Sequence, residues 1–417
     1  MANKHSLTTK QFLVPFIFIS FLFFLVGIAH GMIDTLDKHF QQILQLSKSQ
    51  SSLIQFALYG AYFGMALPAG FFMRKYGYKK GIVFGLSLFS AGAFLIAATT
   101  SFESFWIFLS CLFILGCGLT TLETAANPYA TKLGTKESAA QRINFGQSFN
   151  GLAWVFGPLI GLYIYGNQGG TAPGEKLTSM ILPFASIGLV VFTAALVFLR
   201  LPLPEISEEE VGIAHGIAID GVEDKPTFHK PLKKQSHFVM GVGAQFCYVA
   251  AQTGIFSYLI NFVTDEHQSP RFDVANGPYF LSIGFALFMI GRMSGSYIMS
   301  FYKPARILAV YSGLCILLLP VVSLNLGWLS LISLYAVFFF MSIMFPTIFA
   351  LGIKDLGPQT KKGASFIVMA IVGGAVFPPF MGYISDTFHS MSIGFFVPIP
   401  LFMFIFYYAL KGHHVKA

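Results

Sequence analysis

Apolar residues run along this chain in blocks of roughly twenty, broken by short polar segments in which glycine, lysine and arginine collect. A helix needs about 20 predominantly apolar residues to cross a bilayer. The pattern predicts twelve such helices, near 12–36, 51–73, 80–99, 104–131, 142–165, 180–200, 237–263, 274–300, 306–325, 328–352, 363–384 and 391–411. The first run is too long for a signal-peptide core, and no small-residue cleavage site closes it. It is expected to remain as the first spanning helix.

Composition agrees with the blocks. Of 417 residues, 55% are hydrophobic and only 11% charged, against about a quarter charged in soluble domains. Such a chain could not clothe a surface in water, and its 48 phenylalanines suit contact with lipid. A net charge of +8 would fit a nucleic-acid partner. The basic residues form no stripe, however, and sit in the segments between apolar runs. With the N-terminus cytoplasmic, 21 of the 26 Lys and Arg fall on the inner side. The positive-inside rule therefore predicts both termini in the cytoplasm and a multi-pass inner-membrane protein.

The longest polar stretch, 201–235, carries Pro202, Pro204 and Glu208-Glu209-Glu210. It reads as a flexible cytoplasmic linker between an N-terminal six-helix bundle (1–200) and a C-terminal one (236–417). The two halves echo each other. Pro128, Leu133 and Gly134 recur as Pro346, Leu351 and Gly352, and Pro158 with Gly161 recurs as Pro379 with Gly382. Two parallel six-helix repeats are a transporter plan. The expected fold is an all-α membrane protein of the major facilitator type, with two pseudo-symmetric six-helix bundles.

Charges at membrane depth carry a steep desolvation penalty and ask for a reason. Asp34 lies in the outer part of the first span, with His30 one turn earlier on the same helix face. The plainer reading is an interfacial carboxylate solvated from outside; the functional one is a carboxylate facing a central cavity. Glu123 follows a long uncharged run and precedes Asn127 and the ladder-loosening Pro128. It reads either as the closer of an interhelical hydrogen bond or as a functional carboxylate at membrane depth. Arg292 lies toward the inner end of span eight, where snorkelling to the interface explains it adequately.

Uncharged polar residues add stripes at helical spacing: Gln55, Tyr59 and Tyr62 on the second span, Asn144, Gln147 and Asn150 on the fifth, and Gln245, Tyr248 and Gln252 on the seventh, with Asn261 beyond. Amides that both donate and accept suit a polyhydroxylated solute, and Trp154 and Tyr62 could stack on its apolar face. Amides also glue neighbouring membrane helices together. Three stripes with two carboxylates point to a polar cavity.

Enzyme motifs fail. Gly146-Gln147-Ser148-Phe149-Asn150 lacks the closing glycine of a nucleophile elbow, and no P-loop, H-E-x-x-H or C-x-x-C is present. Cys111, Cys117, Cys247 and Cys315 lie in apolar runs with no disulfide or metal spacing. No metal is expected, and His413-His414 reads as a solvated tail.

The segment Gly70-Phe71-Phe72-Met73-Arg74-Lys75-Tyr76-Gly77-Tyr78-Lys79-Lys80 resembles the loop between spans two and three of the major facilitator superfamily. That resemblance implies a cytoplasmic gate held by Arg74, Lys75, Lys79 and Lys80; the usual acidic residue is absent, Met73 preceding Arg74. More specific strings are Gly31-Met32-Ile33-Asp34-Thr35-Leu36, Leu122-Glu123-Thr124-Ala125-Ala126-Asn127-Pro128-Tyr129, Gln147-Ser148-Phe149-Asn150 and Gly363-Ala364-Ser365-Phe366-Ile367-Val368-Met369. With these the chain resembles the fucose–galactose–glucose:proton symporters, and among them the L-fucose permeases, over nearly its whole length outside the linker. The resemblance implies monomeric, proton-coupled monosaccharide uptake by alternating access, with no cofactor beyond the proton gradient. It assigns Asp34 and Glu123 to proton coupling and sugar recognition, and Gln147 and Asn150 to sugar binding. Asn127, Gln55, Tyr59, Tyr62, Gln245, Gln252 and Asn261 join them as candidate sugar ligands, with His30 and Arg292 accessory. Asn261 stands where some fucose permeases carry a basic residue, which leaves glucose, galactose or an amino sugar open beside fucose. An uncoupled facilitator is the rival within the class, and a membrane sugar sensor the rival outside it.

Overall fold

The computed structural model describes residues 7–43, 48–99, 104–135, 137–166, 181–201, 231–265, 272 and 277–415, with side chains described for all of these except 33–43, 48–52 and 161–166. Most of the predicted linker, 202–230, lies outside the described residues, as do the side chain of Asp34 and residues 266–271.

Among the described residues, ten helical stretches are long and apolar enough to span a membrane. One of them counts twice. Lys48–Thr99 runs as a single element but reverses at Gly77, whose φ of 85° and ψ of 171° belong to backbone that side chains with a Cβ rarely adopt. The expected loop of 74–79 is thus a tight turn at Gly77 between two helices. A further helix, Ala139–Gly166, is interrupted by Gln141, Arg142, Asn144, Gln147 and Asn150 and completes twelve. In chain order they are α1 (Leu13–Ile43), α2 (48–76), α3 (78–99), α4 (Phe105–Lys132), α5 (Ala139–Gly166), α6 (Ile181–Arg200), α7 (Ser236–Thr264), α8 (Gly277–Ile298), α9 (Pro304–Ser323), α10 (Trp328–Gly352), α11 (Gly357–Thr387) and α12 (Met391–Gly412).

Phenylalanine and leucine dominate the outer faces, as Phe56, Phe380, Leu182 and Leu317 show. Such faces belong in hydrocarbon, where helix association relies on close packing and interhelical hydrogen bonds rather than on burial from water. The α1–α5 crossing illustrates this. A Cβ on Gly31 would stand 3.0 Å from the Cα of Gly157, and Asn150 Nδ2 donates to Phe23 O at 3.1 Å.

Helices α1–α6 pack among themselves, as do α7–α12, and two seams join the halves: α5 against α8, and α2 against α11. Arg74, Lys75, Lys79 and Lys80 cluster at the end of the bundle where α1 begins and α12 finishes, called the basic end below.

One structural cation guards this end. Arg142 is fully buried at the start of α5 and donates to Ala130 O, Thr131 O, Thr135 O, Leu7 O and Ser138 Oγ. It therefore caps the carbonyl-rich C-terminus of α4, where a positive charge is favoured, and ties the N-terminal strand of chain to it. Each hydrogen bond from a charged donor contributes about 1.5–3 kcal/mol, and lysine cannot reproduce the planar fork. Arg142→Lys is expected to lower the melting temperature of the detergent-solubilised protein by several degrees. An unchanged thermal unfolding profile would show that these bonds are replaceable.

Candidate functional site

The two seams converge on a cavity of about 60 Å³, room for several ordered waters. Its wall takes residues from both halves: His30 from α1, Tyr59 and Tyr62 from α2, Glu123 from α4, Gln147, Asn150 and Trp154 from α5, and Gln252, Thr253, Phe256 and Arg292 from α7 and α8.

Glu123 sits more than two turns before the C-terminal end of α4 and is 7% exposed. Tyr62 Oη donates to its Oε1 at 3.1 Å, and the same hydroxyl lies 3.3 Å from His30 Nε2. The other ring nitrogen of His30 donates to Val26 O at 3.0 Å, and the ring stacks on Trp154 at 5.6 Å. Trp154 meets Phe256 and Phe285 edge-on across the gap between halves, which leaves an aromatic wall facing a polar one. Tyr59 Oη reaches Thr253 Oγ1 at 3.4 Å, a bond from α2 to α7.

Arg292 is the largest departure from the sequence reading. The side chain does not snorkel. It is 3% exposed, lies against the Phe288 ring at 4.5 Å, and donates through Nε to Ser342 O at 2.7 Å and through Nη1 to Gln147 O at 2.8 Å. Snorkelling needs a path to the interface, and the carbonyls of α5 and α10 offer nearer partners.

The amide stripes divide. Gln147 and Asn150 line the cavity, and so does Gln252. Asn127 is fully buried behind Gln147, accepting from its Nε2 at 2.9 Å, so it orients that side chain instead of facing the cavity. Asn144 bridges the halves nearer the basic end, donating to Thr347 Oγ1 at 3.0 Å. Gln245 is fully buried outside the cavity lining with both amide ends unpaired, Gln55 lies a turn beyond Tyr59 outside that lining, and Asn261 is exposed near the far end of α7. Period alone cannot tell which of two packed faces a stripe occupies. The side chain of Asp34 lies outside the described residues.

The expected gate also differs in its parts. Arg74, Lys75 and Lys80 are exposed, with Lys75 and Lys80 over the Tyr76 ring of their own turn. Among the described residues, a cation that does cross between the halves here is Lys361 of α11. It donates to Met73 O at 3.3 Å and lies 4.5 Å above the Tyr78 ring. Ser296 Oγ donating to Gln141 O at 2.9 Å closes the second seam at the same end. Lys361 was legible only as one more inner-side lysine, since nothing local to it names a partner almost three hundred residues away.

Comparison with known proteins came to the same architecture. The Major Facilitator Superfamily model matches residues 19–371. The chain is 35% identical to the L-fucose-proton symporter of Escherichia coli (strain K12) over 98% of this chain and 95% of that protein. It is 32% identical to the glucose/galactose transporter of Brucella abortus biovar 1 (strain 9-941), over 94% and 93% respectively. Among solved structures it is similar to the crystal structure of the transporter FucP in the outward conformation, with a TM-score of 0.81, 32% sequence identity, and coverage of 98% of this chain and 100% of that one.

Proposed function

This chain belongs to the major facilitator superfamily, a family of membrane transporters, and on that premise we propose that it carries a monosaccharide into the cell together with a proton, L-fucose first among the candidates. The observation that carries this reading is Glu123, a carboxyl buried at membrane depth and facing a cavity of amides, aromatics and one arginine at the meeting of two six-helix halves. Solute and proton would share one chamber. Relatives named for fucose–proton symport and for glucose and galactose transport support a sugar as the solute.

The two halves, 1–200 and 236–417, rock about the 201–235 linker, the basic end facing the cytoplasm of an inner-membrane monomer. The contacts across that end support an outward-facing resting state, and the similar FucP structure is described as outward. Outside, a carboxyl takes up a proton, and Gln147, Asn150, Gln252 and Arg292 bind hydroxyls while Trp154 stacks on the sugar face. Opening of the basic end then releases sugar and proton inward, with Asp34 the second carboxyl of the coupling set. No cofactor enters; the proton gradient drives the cycle. Linkage is reciprocal: sugar that prefers the protonated carrier must strengthen proton binding, so affinity for sugar falls as external pH rises.

A second reading has support of its own. Asn261, exposed at the far end of α7, supplies no charge there, and glucose or galactose fits as well as fucose. Purified protein in liposomes, given labelled L-fucose, galactose, glucose or N-acetylglucosamine with and without an inward proton gradient, decides. Uphill accumulation of one sugar, lost when the gradient collapses, is the expected result and names the substrate. Equilibration indifferent to the gradient would leave a facilitator, and no flux of any of the four would remove the sugar assignment.

A further inference from the structure

We propose that His30, Tyr62 and Glu123 hold the transported proton as one unit, which makes His30 a second proton-bearing group of the coupling site. This rests on the transport reading above and adds a residue to it.

The hydrogen-bond count leads there. Val26 O can only accept, so His30 Nδ1 carries hydrogen. In the neutral ring Nε2 is then a bare acceptor, 3.3 Å from Tyr62 Oη. On the other side of the same hydroxyl, 3.1 Å away, Oε1 of an ionised Glu123 is also an acceptor. Tyr62 has a single proton and cannot serve both. One of two buried contacts is left without hydrogen, a situation buried polar groups avoid.

A single added proton satisfies both contacts in either of two arrangements. With Glu123 protonated, its O–H donates to Tyr62 Oη and Tyr62 donates to His30 Nε2. With His30 protonated, Nε2–H donates to Tyr62 and Tyr62 donates to the Glu123 carboxylate. The two forms interconvert without any side chain leaving its place. The Glu123 O–H bond breaks as a bond forms to Tyr62 Oη, and the Tyr62 O–H bond breaks as a bond forms to His30 Nε2. One proton leaves the carboxyl, one arrives on the imidazole, and the tyrosine ends neutral. A second added proton gives no further gain, because the Tyr62 hydroxyl then accepts from both sides and its own hydrogen loses its partner. It would also put an imidazolium in the cavity that Arg292 already occupies.

The groups around the unit are few. Tyr59 of α2 lies beside Tyr62 with ring centroids 6.3 Å apart, and Arg292 faces it from α8. The α5 wall presents the non-titrating Gln147, Asn150 and Trp154, and α7 presents Gln252 and Thr253. Asp34 follows His30 by one turn of α1, its side chain outside the described residues.

Trp154, stacked on His30 at an interplanar angle of 11°, supplies a readout that needs no sugar. Imidazolium quenches indole emission more strongly than imidazole does. With Trp106→Phe and Trp328→Phe in place, Trp154 is the sole tryptophan of the chain, and its emission can be titrated in detergent. One quenching step is expected on acidification. His30→Asn should abolish it, with His30→Gln as a second variant should the first fold poorly. Glu123→Gln and Tyr62→Phe should each move its midpoint by about 1 pH unit or more, the mark of coupled sites. A midpoint indifferent to both variants would make His30 an independent group and overturn the proposal. A step that survives His30→Asn, or no step over the range in which the protein stays folded, would overturn it too. Liposome uptake tests the sugar reading separately, so either conclusion can fail alone.

Discussion

Replacing Glu123 with glutamine should abolish uphill accumulation and leave sugar exchange running. Glutamine has the shape of the protonated carboxyl and keeps an oxygen for the Tyr62 hydroxyl, which donates to Glu123 Oε1 at 3.1 Å in the native site. Packing around this 7%-exposed side chain should therefore survive. What glutamine cannot do is release a proton. An inward gradient of about one pH unit is worth about 1.4 kcal/mol per proton and sustains about tenfold accumulation when one proton accompanies each sugar. The variant should settle at equal concentrations inside and out under the same gradient. Counterflow, in which internal unlabelled sugar exchanges for external label, needs no net proton movement and should stay within about tenfold of the parent. Both are read in one liposome preparation. Retained accumulation would move proton coupling off Glu123, with His30 and Asp34 next to be tested in the same assay. Loss of both activities would instead give Glu123 a structural or sugar-binding part.

The second large effect falls on Arg292→Lys. The guanidinium belongs to α8, yet it donates to Gln147 O of the other half and to Ser342 O of its own. Opening the basic end must break the first bond and keep the second. Arginine can do this because its donors point in fixed, separate directions, whereas lysine offers one compact charge. Loss of one charge-assisted bond costs about 1.5–3 kcal/mol, which corresponds to about ten- to hundredfold in an equilibrium or rate. Arg292→Lys is expected to shift the carrier away from its outward-facing state by that factor, and so to lower both net uptake and counterflow at limiting external sugar, since both begin from that state. Slower uptake with normal counterflow would assign Arg292 to the proton step, and a parental rate in both would reduce it to packing against Phe288.

Twelve spans could be read from the chain because bilayer thickness imposes a length on every apolar run, a constraint that acts locally. That Glu123 lies inside a span was legible for the same reason. Partnerships were not. Gln147 and Gln245 have similar settings in sequence, each in a three-residue polar stripe, yet one faces the cavity and the other lies buried outside its lining with both amide ends unpaired. Asn127, one turn after Glu123, turned out to hold Gln147 in place. Arg292 looked free to reach the interface because it lies toward the inner end of its span, while its actual partners come from α5 and α10. Lys361 shows the same limit: its role depends on Met73 and Tyr78, which only the assembled halves bring near it. The departure of the gate from its family pattern, with Met73 before Arg74, was visible in sequence; that the backbone carbonyl of Met73 receives a lysine was not.

That last contact has a consequence for how the closed end responds to its surroundings. Arg292 on Gln147 O, Lys361 on Met73 O and Ser296 on Gln141 O all set a donor against a neutral peptide carbonyl. Mobile ions screen the attraction between two full charges far more than that between a charge and a nearby dipole at buried sites. A closure built this way keeps nearly the same strength in dilute and concentrated electrolyte.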